Sequence, residues 1–258
     1  MDSLKLRAAD AADTARGRRD ELTPPRRLNF VGDSDFRATG DELARHFREL
    51  AGLQSSDRVL DIGCGIGRMA RVLVPVLRPP GSYDGFDIVR PGISWCQKHY
   101  RDTPAPFRFH HADLHNAQYN PSGVDSALGY RFPYDDHSFD LALTTSVFTH
   151  LLAHAVDHYL AEAARVLAPG GRLFATWFLL TDENLVTPPP PFRFSDATAP
   201  AAIADPAAPE AAVAFDEAWV RERLRAHGFQ LREPIHRGSW AGRSGRSLQD
   251  ITVASRRR

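Results

Sequence analysis

Hydrophobic and polar residues alternate along this chain with two different periods. Short, largely apolar runs predict strands, and segments with an apolar residue every three or four positions predict amphipathic helices. The predicted strands are 58–62, 82–88, 107–111, 139–144, 172–180, 229–236 and 248–254, and the predicted helices are 40–51, 68–77, 91–101, 155–167 and 216–227. Because strands and helices alternate along the chain, we expect an α/β fold built on a mostly parallel sheet.

The first strand ends in a turn of the form D-x-G-x-G-x-G, in which Asp61 is followed by Gly63, Gly65 and Gly67. Glycine lets the backbone bend sharply and approach a ligand closely, because no Cβ intervenes. The helix that follows offers free N–H groups to an anionic group, and Asp61 suits a positive group on the same ligand. The spacing differs from the G-x-G-x-x-G of dinucleotide folds, which disfavours a nicotinamide oxidoreductase.

This turn, set between an apolar strand and an amphipathic helix, resembles the first motif of the class I S-adenosylmethionine-dependent methyltransferases. Three later stretches resemble that family in the same order: 86–88, 112–114 and 165–173. The resemblance implies a doubly wound, mostly parallel seven-stranded sheet with one antiparallel strand and helices on both faces. It also implies S-adenosyl-L-methionine as cofactor and S-adenosyl-L-homocysteine as product.

Further residues at strand ends are candidates for cofactor binding. Asp87 ends the second strand, where a carboxylate accepts hydrogen bonds from ribose hydroxyls; the alternative is a solvated loop aspartate. Ile88 is expected to pack on the adenine ring. The resemblance assigns Asp113 to the adenine amino group, with Leu114 beside the ring. Thr145 directly follows the strand 139–144, and ligands of parallel sheets bind beyond such carboxyl ends.

Two histidines after the same strand are candidate catalytic residues. A hydroxyl acceptor must lose its proton, and histidine, with a pKa near about 6.5, is a suitable base. His150 is the first candidate and His154, one helical turn later, is the second. The alternative for His150 is a helix-start histidine that gates the cofactor or orders the loop. An amine acceptor, or a hydroxyl that is only desolvated, needs no base.

Charge and composition exclude several other classes of protein. Lysine plus arginine equal aspartate plus glutamate at 32 each, which gives no sign of a nucleic-acid or membrane-surface partner. No metal site is predicted at the clustered His110, His111 and His115, because two of them point to opposite faces of a strand and no paired carboxylates flank them. Cys64 and Cys96 show no disulfide pattern. No apolar run approaches the roughly 20 residues of a membrane span, so we expect a soluble cytoplasmic protein.

The chain divides into five segments. We expect a mobile N-terminal arm (1–27), an N-terminal cap segment (28–57), a cofactor-binding core (58–180), an insertion that is a lid or a linker (181–213), and a C-terminal helix and strand hairpin that complete the sheet (214–258). By the resemblance, the cap covers part of the cofactor, where Phe36 and Arg37 reach its methionine end. Phe36 is equally consistent with a packing anchor. Phe192 and Phe194 fit a substrate lid or a pinned surface loop.

These observations predict a methyltransferase that acts on a hydroxyl of a small molecule or sugar, in glycan or natural-product biosynthesis. The preference for oxygen depends on the histidines and on the resemblance. The alternatives are N-methylation of a small amine and a non-catalytic S-adenosylmethionine-binding module. The acceptor, the position methylated and the oligomeric state stay open.

Overall fold

The computed structural model describes residues 3–30, 35–181, 194, 196–198 and 200–257. Its helices are α1 (Ser3–Ala15), α2 (Phe36–Glu49), α3 (Arg68–Leu73), α4 (Arg90–His99), α5 (Ala153–Val166) and α6 (Glu217–Ala226). Its strands are β1 (Arg58–Ile62), β2 (Ser82–Asp87), β3 (Phe107–His111), β4 (Phe139–Thr144), β5 (Leu167–Trp177), β6 (Leu179–Leu180), β7 (Asp196–Thr198), β8 (Ala201–Ile203), β9 (Val213–Asp216), β10 (Phe229–His236) and β11 (Asp250–Arg256).

Seven strands form one mostly parallel sheet in the order β10-β11-β5-β4-β1-β2-β3. β11 is the antiparallel strand, since it pairs in antiparallel register with both β10 and β5. The predicted fold class, an α/β sheet of seven strands with one antiparallel, is therefore confirmed. The chain separates into two compact units, residues 1–112 and 113–258.

In the first unit, β1, β2 and β3 pair in parallel. Val59, Leu60 and Ile62 are fully buried, so β1 lies inside the apolar core. The helix α3 ends at Leu73, four residues before the predicted end, because Pro75 lacks the N–H that a continuing helix needs. Burial in the core thus holds β1 in place, and the glycine turn begins directly after the last residue of this strand.

The N-terminal residues of this unit contain the helix α1 and a set of ion pairs. Arg19 Nη1 lies 2.9 Å from Asp10 Oδ1, and Arg71 Nε of α3 donates to Asp20 Oδ2 at 2.8 Å. These contacts connect the predicted arm with α3. The mobility of residues 1–27 stays a prediction.

In the second unit, β4 and β5 pair in parallel and β11 lies along the other side of β5. The buried Trp177 at the end of β5 packs on Phe148, with ring centroids 4.5 Å apart, and donates from Nε1 to Thr252 Oγ1 at 2.8 Å. The carboxyl end of β5 is thereby held against β11, and the loops at this end start from a rigid base.

A second, four-stranded sheet in the order β6-β9-β8-β7 occupies part of the segment predicted to be a lid or a linker. β6 lies within the strand predicted at 172–180, whereas β7, β8 and β9 were not predicted, because strands of three or four residues are too short to show a period. Phe194 packs against Phe178 and Trp240, at 5.5 and 5.7 Å between ring centroids. Residues 182–193, Phe192 among them, lie outside the described residues.

Candidate functional site

The glycine turn after β1 requires glycine at all three predicted positions. Gly63, Gly65 and Gly67 have φ values of +72°, +59° and +83°, a region that residues with a Cβ rarely adopt. The backbone N–H groups of Gly63 and Cys64 donate to the carbonyl of Phe86 at 2.9 and 3.0 Å. These bonds fix the turn against the end of β2.

Asp87, the last residue of β2, reaches the glycine turn with its side chain. Its Oδ2 accepts from the N–H of Gly65 and its Oδ1 from the N–H of Val89, both at 2.8 Å. Burial raises the pKa of this carboxyl, while the two amide bonds act in the opposite direction. Because each carboxylate oxygen accepts more than one bond, the oriented side chain keeps capacity for hydroxyl donors. Ile88 follows it, half-buried.

Asp61 lies beside the same turn and is fully buried. Its Oδ2 accepts from Tyr83 Oη at 2.6 Å, whereas Oδ1 has no hydrogen-bond partner among the residues that the structure describes. Burial raises the pKa of this carboxyl from its ordinary value of 3.8 to about 7. A buried acceptor without a donor is costly, so Asp61 is suited to a ligand that brings a donor or a positive charge.

The start of α2 packs near the start of α3 in the same unit. The Arg68 guanidinium lies 5.8 Å from the centre of the Phe36 ring, and burial lowers the pKa of Arg68 to about 10. A pocket of about 470 Å³ lies alongside, with Phe36, Arg37 and several N-terminal arginines and aspartates in its wall. Contact of Phe36 and Arg37 with a bound methionine end stays a prediction.

In the second unit, the loop after Leu114 folds back on the predicted adenine-binding pair. The carbonyl of Asp113 accepts from the N–H groups of Val124 and Asp125, both at 3.1 Å, and its Oδ1 accepts from Asn120 Nδ2, also at 3.1 Å. Leu114 is buried. The polar loop thus presents Asp113 in a fixed position.

Residues after β4 form a polar cluster that sequence analysis did not predict. We call Ser146, Thr149, Thr176 and Gln249 the Ser146 cluster. The Ser146 N–H donates to Thr176 Oγ1 at 2.7 Å, Thr176 Oγ1 donates to Gln249 Oε1 at 2.6 Å, and Gln249 Nε2 donates to Ser146 Oγ at 3.0 Å. Ser146 has a φ of +59°, a strained backbone of the kind found at functional sites. Thr145, a predicted site residue, is its half-buried neighbour.

His150 ends a short 3-10 turn in the same unit and contacts two loops. Its Nδ1 lies 3.0 Å from the carbonyl of Glu210, and the Tyr119 ring meets it edge-on at 5.4 Å between centroids. Since a carbonyl only accepts, Nδ1 carries the proton and Nε2 holds the lone pair. Burial lowers the pKa of His150 below 6.5. His154 is exposed in the first turn of α5.

Each unit thus brings part of the predicted site together. The first collects Asp61, the three glycines, Asp87 and Ile88, and the second contains Asp113, Leu114, Thr145, His150 and His154. Tyr83 and Gln249 were missed. Tyr83 reads as an ordinary strand aromatic, and Gln249 contacts Ser146 across 103 positions of sequence. No pattern in a single sequence marks either contact.

The described residues were also compared with the requirements of a metal site and of a membrane-spanning helix. Among them, no group of three histidine, cysteine, aspartate or glutamate side chains is arranged to hold a metal ion. No helix in the described part of the chain has the length and apolarity needed to cross a membrane.

Comparison with known proteins identifies a methyltransferase domain in part of the chain. A family model described as "Methyltransferase domain" matches residues 60–175. The chain is 35% identical to phthiotriol/phenolphthiotriol dimycocerosates methyltransferase 1 of Mycobacterium ulcerans, over 47% of this chain and 38% of that protein. It is 33% identical to 27-O-demethylrifamycin SV methyltransferase of Amycolatopsis mediterranei, over 57% of this chain and 49% of that protein. The chain therefore matches less than half of the length of these curated relatives.

A solved structure has a similar fold. The crystal structure of Burkholderia thailandensis 1,6-didemethyltoxoflavin-N1-methyltransferase, with bound 1,6-didemethyltoxoflavin and S-adenosylhomocysteine, matches with a TM-score of 0.54 and 18% identity, covering 98% of this chain and 88% of that one. At this identity the likeness concerns the fold.

The glycine turn, the sheet order and the family match together define a class I S-adenosylmethionine-dependent methyltransferase domain, which this chain carries over residues 60–175. The family predicted from the motifs is confirmed. S-adenosyl-L-methionine is the cofactor of this class, as predicted.

Proposed function

We propose that this protein transfers a methyl group from S-adenosyl-L-methionine to a hydroxyl of a small molecule. The family match supports methyl transfer. The two curated relatives, one named for a mycobacterial lipid and one for a rifamycin, support a lipid or natural-product acceptor. The demethylrifamycin enzyme is named for an oxygen position, which supports an O-methylation.

One observation carries the cofactor assignment: two buried carboxylates, Asp61 and Asp87, flank a glycine turn, and one Asp61 oxygen has no partner among the described residues. Asp61 binds the cofactor's ammonium group in this proposal, and Asp87 binds its ribose hydroxyls. These two carboxylates match a ligand that carries a positive charge and a sugar.

The remaining cofactor residues follow from the family resemblance. Ile88 packs on the adenine ring, Asp113 accepts from the adenine amino group, and Leu114 borders the ring. Thr145 belongs to the same set, at the end of β4. The loop holds the half-buried Asp113 in place beside the buried Leu114, which supports a binding role, because a fixed acceptor loses little entropy on binding.

When bound, S-adenosyl-L-methionine supplies a methyl group already activated on a sulfonium. The chain then has to position the acceptor and exclude water, and positioning alone contributes roughly 7–11 kcal/mol in favourable reactions. The Ser146 cluster is suited to that task, since its hydroxyl and amide groups are held by one another at the end of β4.

His150 is the proposed base. Its Nδ1–H donates to the Glu210 carbonyl, so Nε2 is the atom that accepts the acceptor's proton. Its pKa, lowered by burial, keeps the ring neutral at neutral pH, which a base requires. The Glu210 side chain also accepts a hydrogen bond from the Ala117 N–H, at 2.9 Å through Oε2. This bond holds Glu210, the partner of His150, against the loop that contains Ala117. His154, exposed on α5, is the second candidate.

Two measurements test this function. Calorimetry with S-adenosyl-L-homocysteine measures cofactor binding, and we expect one site per chain. Transfer of a labelled methyl group to a panel of hydroxyl and amine acceptors measures activity. Transfer to amines alone favours the N-methyltransferase alternative. Binding without transfer to any acceptor favours a non-catalytic module, and absence of binding contradicts the cofactor assignment.

A further inference from the structure

The loop between β10 and β11 has an unusual composition. Residues 237–247 contain three arginines, three glycines and three serines, and no aspartate or glutamate. Arginine guanidinium groups, serine hydroxyls and glycine N–H groups are the donors that proteins use to bind carboxylate and phosphate. The composition alone indicates an anion-binding loop.

The loop is held in one conformation by a buried carboxylate. Asp250 is fully buried, and its oxygens accept from the Gly238 N–H at 2.8 Å and from Trp240 Nε1 at 2.6 Å. An added Cβ on Gly238 would lie 2.4 Å from backbone atoms of Gln249 and Leu248. Close backbone packing and the buried indole make this a rigid platform, which is what precise anion recognition needs.

A pocket of about 400 Å³ opens on this platform. Its wall consists of Ile235, His236, Arg237, Ser244, Gly245 and Arg246. Arg237 Nη2 lies 2.5 Å from Glu217 Oε2, which holds the guanidinium in place. Arg237 Nη1 has no hydrogen-bond partner among the described residues. The Arg237 side chain is 33% exposed and lies in the pocket wall, so its guanidinium is available to donate to an anion in the pocket.

The carboxylates near the pocket are each paired with an arginine. Glu217, from α6, faces Arg237, and Asp250 accepts from Arg243 Nη2 at 3.2 Å. No carboxylate is part of the pocket wall, which carries two arginines and a histidine. The wall is therefore positive, and an anion of small size is the complementary ligand.

The loop also reaches the Ser146 cluster. Gln249, at its end, donates to Ser146 Oγ at 3.0 Å, and its Nε2 lies 3.4 Å from Thr149 Oγ1. The basic pocket and the cluster proposed to position the acceptor therefore belong to one continuous piece of the second unit.

We infer that the β10–β11 loop binds a carboxylate or phosphate group carried by the methyl acceptor, so that the acceptor is an acidic small molecule. The link to the acceptor rests on the proposed function, whereas anion binding by the loop does not. Both anions offer oxygens to the paired N–H groups of an arginine, and Arg237 with Arg246 forms the recognition pair.

The test is a calorimetric titration of the full-length protein with inorganic phosphate and, separately, with acetate, at low ionic strength against a chloride reference. We expect saturable binding of at least one anion. Arg237→Gln and Arg246→Gln should each weaken it roughly tenfold or more, as for loss of a charged hydrogen bond. Arg232→Gln is the matched control, because Arg232 on β10 bonds Ser255 Oγ at 2.9 Å and lies outside the pocket wall.

The outcomes separate the two proposals. Preference for phosphate assigns a phosphorylated acceptor, and preference for acetate assigns a carboxylic acid. Binding that is absent, or equally strong in all three variants, overturns the anion site. Because Arg237→Gln removes one of the two arginines that pair with Glu217, the other being Arg221, Arg246→Gln decides the result if the first variant fails to fold. If S-adenosyl-L-homocysteine binds and the anions do not, the loop assignment alone fails; the reverse result contradicts the proposed function.

Discussion

Replacing Asp61 by asparagine removes one titrating group from the centre of the proposed cofactor site. Burial raises the pKa of Asp61 from 3.8 to about 7. A shift of about three pH units corresponds to roughly 4 kcal/mol of folding free energy, at about 1.4 kcal/mol per unit. The folded wild-type protein therefore carries a pH-dependent cost that the asparagine variant lacks.

The direction of the effect follows from proton linkage. Between about pH 4 and pH 7 the unfolded chain has released the Asp61 proton while the folded chain retains it. Stability from this group is therefore lost as the pH rises through that interval. With pKa values of 3.8 and about 7, the part of the cost that develops between pH 5 and pH 8 is roughly 2–3 kcal/mol.

Urea denaturation followed by tryptophan fluorescence, at unit steps from pH 5 to pH 8, measures the difference. Asp61→Asn should become more stable relative to wild type by roughly 2–3 kcal/mol across this range, whatever constant offset the substitution adds. Asp102→Asn, a change at an exposed carboxylate, is the control and should show a nearly constant difference. Parallel profiles for wild type and Asp61→Asn would refute a raised pKa at Asp61.

Three further substitutions test other parts of the site. Asp87→Ala should weaken binding of S-adenosyl-L-homocysteine by about 1–3 kcal/mol in calorimetry, because hydrogen bonds to a charged group are lost; unchanged affinity contradicts the ribose role. His150→Ala should lower kcat by about 100-fold, and the acid half-point of wild-type kcat should lie below pH 6.5, since burial lowers the His150 pKa; a near-normal rate in the variant rules out His150 as the base. Gly238→Ala should destabilise the protein by more than about 2 kcal/mol, since its Cβ meets backbone at 2.4 Å, whereas Gly242→Ala, with φ +78° and open space, should cost only about 1 kcal/mol in urea denaturation. Equal costs would contradict the close packing of the β10–β11 loop.

The core of the fold was predictable because its signals are local. β1 and β4 have the predicted bounds, since an apolar run fixes a buried strand without help from distant residues. The glycine turn was equally readable: three positive φ values require three glycines, and the sequence supplies them at Gly63, Gly65 and Gly67.

Contacts between distant residues were not predictable. The short strands β7, β8 and β9 exist because they pair with one another, and their own sequences are too short and too rich in alanine to specify a strand. The Ser146 cluster and the Tyr83–Asp61 bond likewise join residues that share no motif. The predicted domain bounds and the individual site roles stay predictions that the experiments above address.

A crystal structure of the protein grown with S-adenosyl-L-homocysteine tests the central claim most directly. We predict that the nucleoside lies over the glycine turn, with its ribose hydroxyls on the Asp87 carboxylate and the ligand's ammonium group within reach of Asp61. A ligand bound elsewhere on the protein, or a glycine turn that contacts a part of the ligand other than the nucleoside, would contradict the proposed cofactor site.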